Sequence, residues 1–168
     1  MLFQCMKRAL WVYIVSAALA GLPVVSSAGV TKLAAADRQH LLQVKDAPLV
    51  TTMHQIPAEV VAACAAASSG GGFELADAGQ PFQATDVITE KNLPGKRLIW
   101  AARLPGYMVV HYERGGIAHS FHVMVVALDS SRKAHVVWAA AARLMKSYAE
   151  FREALVGGKL DDTFPYSH

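Results

Sequence analysis

Apolar residues fall along this chain in three regimes: an almost unbroken run near the start, a helical repeat around residue 60, and dense strand-length blocks between 97 and 142. The first regime spans Ala9 to Leu22. Lys7 and Arg8 precede it, Pro23 breaks it, and Ser26-Ser27-Ala28 follows with small residues at the −3 and −1 positions. Those are the parts of a secretory signal, which predicts a cleavable peptide over 1–28. The competing reading is an uncleaved anchor, but a spanning helix needs roughly 20 apolar residues and this core is shorter. No cysteine follows the run at a lipid-attachment position, and one Lys-Arg pair is not a twin-arginine signal.

Residues 29–37 hold few large apolar side chains and read as a loose arm. His40 to Lys45 reads as a first short strand, ended by Asp46-Ala47-Pro48. Pro57 suits a first helical position, and Val60, Val61, Cys64 and Ala67 then share a face at helical spacing. Ser68-Ser69-Gly70-Gly71-Gly72 stops that helix. The glycine run lacks the Lys-Ser/Thr ending of a phosphate-binding loop and reads as a connector. Phe73 to Ile88 reads as an extended, turn-rich stretch.

The third regime is the densest. Residues 97–104 and 107–113 read as strands joined by Pro105-Gly106. Gly115-Gly116 is a hairpin signal, because tight hairpins demand backbone angles that glycine accepts. Ile117 to Leu128 reads as a long strand, Asp129 to Arg132 as a turn, and Ala134 to about Ala140 as a fourth strand whose alanines also suit a helix. Ser147 and Glu150 form a capping box, Tyr148, Phe151 and Leu155 share the helix face behind it, and Gly157-Gly158 ends it. The predicted fold class is therefore α+β. An antiparallel meander of about four strands (roughly 97–142) has one helix before it (about 57–68) and one after it (about 147–156). Residues 29–168 read as a single small domain.

Setting the signal aside changes the charge. The chain has 16 Lys+Arg and 13 Asp+Glu. Without Lys7 and Arg8, 14 face 13, a net of +1, and no basic stripe suggests a nucleic-acid partner. Of the two cysteines only Cys64 remains, so no intramolecular disulfide can form. A disulfide-free exported domain points to the bacterial periplasm or to secretion, with no membrane span after cleavage.

Histidine is the unusual residue: all seven come after position 28, and four lie between 111 and 135. If Gly115-Gly116 is a two-residue loop, Arg114 faces Ile117, His111 faces Ser120 and Val109 faces His122. His111, Glu113, Ser120 and His122 then share one sheet face, with Tyr112, Arg114 and His119 on the other. A one-residue change of register exchanges the faces.

That cluster suits three chemistries. His111 and His122, with Glu113, are donors that suit Zn²⁺ or Cu²⁺. Ser120, His122 and Glu113 are the residue types of a nucleophile, base and orienting acid, though no nucleophile elbow surrounds the serine. The same face, with Tyr107, Tyr112 and Arg114 nearby, also suits recognition of another molecule. The bland alternative is a half-solvated sheet face carrying ordinary histidines. Elsewhere, Cys64 reads as a buried inert thiol, Trp100 and Trp138 as core, and Asp161-Asp162 as a solvated tail. Asp77 and Asp86 match no calcium loop.

No catalytic constellation of known spacing stands out, so the leading expectation is non-enzymatic. It is a periplasmic module that binds or inhibits an envelope protein or ligand. A Zn/Cu-binding protein using the 107–122 hairpin is the alternative, and a small hydrolase is third. No resident cofactor is called for unless the hairpin holds a metal.

Overall fold

The computed structural model describes residues 32–68, 72–87 and 91–163. The expected signal segment lies outside those residues, as do most of the glycine connector and the tail from Phe164 onward. No helix among the described residues is long and apolar enough to cross a membrane.

The elements run α1 (Ala35–Gln43), β1 (Leu49–Val50), α2 (Ala58–Ala67), β2 (Lys96–Leu104), β3 (Tyr107–Arg114), β4 (Ser120–Leu128), β5 (Ala134–Ala142) and α3 (Tyr148–Val156). The five strands form one antiparallel sheet in the order β1-β2-β3-β4-β5, so each pairs with its sequence neighbour. The α+β class and the meander are as the pattern predicts. The fifth strand is β1, a two-residue edge piece pairing Leu49 with Ala102 and Val50 with Ala101.

Both faces of the sheet are covered. Trp100, Val109, Val123, Val125 and Trp138 pack with Leu41 of α1 and Tyr148, Phe151 and Leu155 of α3. Met108, Val110, Tyr112, Met124 and Val126 pack with Val60 and Cys64 of α2. This explains why Val123-Met124-Val125-Val126 is continuously apolar rather than alternating: successive side chains enter two different cores. Each such side chain contributes about 1.5–3 kcal/mol by leaving water.

One element differs in kind. Of the expected strand at His40–Lys45, His40–Gln43 is the second half of α1, and the expected arm supplies its first turn from Ala35. A short apolar run such as Leu41-Leu42 does not distinguish strand from helix. Tertiary bonds settle it: Tyr148 Oη donates to Leu41 O at 2.7 Å, and Arg152 Nη2 donates to Leu42 O at 2.9 Å, satisfying carbonyls at the helix end. At the other helix, Ser147 Oγ accepts from Glu150 N–H at 3.2 Å. Glu150 reaches back to Lys146 N–H, one residue beyond the usual capping box.

Two register features shape the open end of the sheet. The β2–β3 turn at Pro105-Gly106 is the two-residue loop expected, with Gly106 at φ +70°. Between Leu98 and Trp100 the ladder slips by a residue, a bulge at Ile99. An unbroken ladder from that turn would set Arg97 opposite Arg114. The bulge sets Arg97 opposite Glu113 and Lys96 opposite Arg114.

Candidate functional site

The β3–β4 hairpin closes through five residues, 115–119, instead of two, and Arg114 pairs with Ser120. The loop is longer because the rest of the chain holds it open. Gly115 N–H donates to Gly95 O at 3.0 Å, and Gly116 N–H donates to Ala84 O at 3.3 Å. The three-residue shift is odd, so it turns β4 over relative to the expected arrangement. His111 now faces Val123, Tyr112 faces His122 and Glu113 faces Phe121. The four residues expected on one face are thus divided: His111 and Glu113 lie on the α1/α3 side, Ser120 and His122 on the α2 side.

His111 is fully buried. Its Nδ1 donates to His122 O at 2.8 Å, and its Nε2 accepts from Met145 N–H at 3.1 Å. One donor and one acceptor define a neutral imidazole, and burial lowers its pKa, opposed by the bond to the His122 carbonyl. Both nitrogens are committed to backbone, so the ring ties β3, β4 and the approach to α3 together. A metal shared by His111, His122 and Glu113 does not fit this geometry. Among the described residues no group of three or more His, Cys, Asp or Glu is placed to hold a metal ion.

Glu113 is only 6 % exposed yet well provided for. Arg97 Nε donates to its Oε1 at 2.7 Å, and His119 Nε2 contacts its Oε2 at 2.7 Å. Arg97 also donates to Gln80 O at 3.0 Å and stacks over the Phe82 ring at 4.4 Å. A buried carboxylate is tolerable only when paired in this way. His119 was expected with Tyr112 and Arg114; the longer loop instead brings it beside Glu113 and against Phe121, with ring centres 5.1 Å apart. Its side chain remains 45 % exposed.

On the α2 side, Ser120 Oγ lies 2.8 Å from His122 Nε2, and the His122 ring stacks on Tyr112 at 5.3 Å. Phe73 meets the other ring of that stack edge-on at 5.2 Å from Tyr112. Burial pushes the Tyr112 phenol upward, which fits a packing role. The serine and histidine meet as a hydrolase dyad would, but Glu113 is on the opposite face, bonded to Arg97 and His119. The three do not form a triad.

Lys96, Arg114 and Ser120 cross three strands in a single rung. Beside that rung opens a cavity of about 470 Å³, into which Lys96 and Arg114 bring positive charge and Glu74 and Asp86 negative charge. Gly72, Gly95, Gly115 and Gly116 supply backbone to its wall. Burial lowers the Lys96 pKa, and the neighbouring Arg114 guanidinium lowers it further. Lys96, Arg97, Glu74 and Phe82 were not among the expected site residues. They enter only because the Ile99 bulge and the 73–87 segment bring other parts of the chain to the hairpin end.

The chain matches no family model, no curated protein and no solved structure.

Cys64 is fully buried, and burial pushes its thiol up to about 12, so thiolate chemistry is suppressed there. Trp100 is core, donating to Met145 O at 2.7 Å. Asp161-Asp162 is not a free tail: Asp161 exchanges both backbone bonds with Ala141 at 2.9 Å, and Asp162 accepts from Trp138 Nε1 at 3.0 Å.

Proposed function

We propose that this protein is an exported, non-enzymatic binding module that takes a short charged peptide, or the charged peptide segment of an envelope protein, at the closed end of its β3–β4 hairpin. The observation that supports this reading is the cavity beside the Lys96–Arg114 rung, which offers both signs of charge within about 470 Å³. That size falls in the ordinary range of small-ligand sites. The bonds from Gly115 N–H to Gly95 O and from Gly116 N–H to Ala84 O pin part of the cavity wall, and a rigid wall lowers the ordering cost of binding. Export is supported by the Lys7-Arg8, Ala9–Leu22 and Ser26–Ala28 pattern.

Calorimetry with Asp- or Glu-containing dipeptides tests the site. Saturable binding is expected, weakened at least tenfold by Lys96→Glu or Arg114→Glu, which corresponds to about 1.4 kcal/mol. No saturable binding, or binding indifferent to both substitutions, removes the reading.

A hydrolase is the second reading, and the 2.8 Å approach of Ser120 to His122 is what favours it. Ester turnover that survives Ser120→Ala would dismiss it.

A further inference from the structure

We infer that a second site, a cleft between the two ends of the described chain, binds an amphiphile with one anionic head and an apolar body. The cleft has a volume of about 630 Å³ and lies over the outer part of β5, walled by the chain around Lys32 and by the segment after α3. It is remote in sequence from the hairpin and does not depend on the peptide-binding reading.

Its floor is apolar. Trp138 and Leu155 are buried, and half-buried Leu33 and Leu160 pack against the same core. The indole orientation is fixed, because Trp138 Nε1 donates to Asp162 Oδ2. That leaves the ring as part of a preformed surface rather than a mobile lid.

Its rim carries excess positive charge. Lys32, Arg38 and Lys159 all line it, against Asp161 and Asp162. Both carboxylates have internal work. Asp162 receives Lys32 as well as Trp138, and Asp161 Oδ1 accepts from Thr163 N–H at 3.0 Å and Thr163 Oγ1 at 2.6 Å. Arg38 gives one bond to Leu155 O at 3.2 Å, leaving further guanidinium donors. The Lys159 ammonium meets no carboxylate among the described residues. Lys32 is matched by Asp162, so the charge left for a ligand is that of Arg38 and Lys159, which meet no carboxylate among the described residues; an apolar floor below that pair is complementary to a fatty carboxylate or alkyl phosphate. A neutral or cationic chain would bury the same apolar surface without meeting those cations.

The test is calorimetric titration of the full chain, purified as the producing cell leaves it, with four ten-carbon probes below their micellar concentrations. The probes are decanoate, decyl phosphate, decanol and decyltrimethylammonium. Decanoate, decyl phosphate or both should bind saturably at one site per chain, and whichever is tighter identifies the head group. Decanol and decyltrimethylammonium should bind at least tenfold more weakly. Lys159→Glu should weaken the anion at least tenfold, whereas Lys96→Glu at the hairpin cavity should leave it unchanged. Equal binding of all four probes, no saturation below micellar concentration, or indifference to Lys159→Glu overturns the assignment. Sensitivity to Lys96→Glu instead would also overturn it, by moving the site to the hairpin. Failure here leaves the dipeptide experiment untouched.

Discussion

At the scale of single residues, the buried polar groups of the hairpin separate by what holds them. His111 is neutral and satisfied on both nitrogens, so its replacement removes the bonds it makes to the His122 carbonyl and the Met145 N–H. His111→Ala should therefore cost about 2–4 kcal/mol in chemical denaturation. The pH dependence has a definite sign. The folded-state pKa lies below the ordinary 6.5, so the unfolded chain binds the proton more readily. This contribution to stability is complete above about pH 6.5 and declines as pH falls below it. His111→Gln should flatten the slope of stability against pH in that window; an unchanged slope would show that another group governs it. Glu113 and His119 provide a contrast. Glu113→Gln strips a buried charge from Arg97 and should cost about 2–4 kcal/mol, while His119→Ala, at a half-exposed partner, should cost under about 1 kcal/mol. Equal losses in urea titrations would contradict the burial argument.

Elements were legible where a pattern repeats over its full length, and illegible where another part of the chain decides. The helix face of Val60 and Cys64, the Ser147 cap and the Pro105-Gly106 turn are local signals, and the structure obeys each of them. The hairpin loop and the Ile99 bulge are not local. Gly115-Gly116 reads as a two-residue turn in isolation, but its N–H groups are taken by Gly95 and Ala84, which lie far away in sequence. That one difference exchanges faces for all of β4, which is why the candidate residues group differently from the expectation. Helix α1 was illegible for a related reason, since its end is secured by Tyr148 and Arg152 more than 100 positions later. The pinned loop can be tested directly. A Cβ added at Gly115 would stand 1.9 Å from Gln83 O, against backbone that cannot swing aside. At Gly116 nothing lies within 4 Å and only the φ of +117° opposes a side chain. Gly115→Ala should destabilise by roughly 2 kcal/mol or more and Gly116→Ala by about 1, with the order read from urea midpoints.

At the scale of the whole molecule, a five-stranded meander is covered on one side by α1 and α3 and on the other by α2. Both cores are rich in Val, Ala, Met and aromatics, and neither contains a disulfide; the cysteine among the described residues is the free, buried Cys64. Such a fold is compatible with passage through an export channel as an unfolded chain and then refolding without oxidation. The export proposal makes a prediction at this scale. Protein recovered from a bacterial envelope should begin at Gly29, as read by terminal sequencing and intact mass; a retained Met1 with membrane association would favour the anchor instead.

The clasp of Lys32 with Asp162 has a topological consequence. Residues 130 positions apart in sequence touch, so the described chain runs as an almost closed ring. The order in which the ring is read is then not essential to its pairing, because every sheet contact except the Asp161–Ala141 and Ala76–Arg97 bridges joins neighbouring strands. A circular permutant joined between 163 and 32 and opened at Ser130-Ser131, in the exposed turn between β4 and β5, keeps all of those pairings. The same closeness means that labels attached at the two ends of this ring report on one place in the molecule.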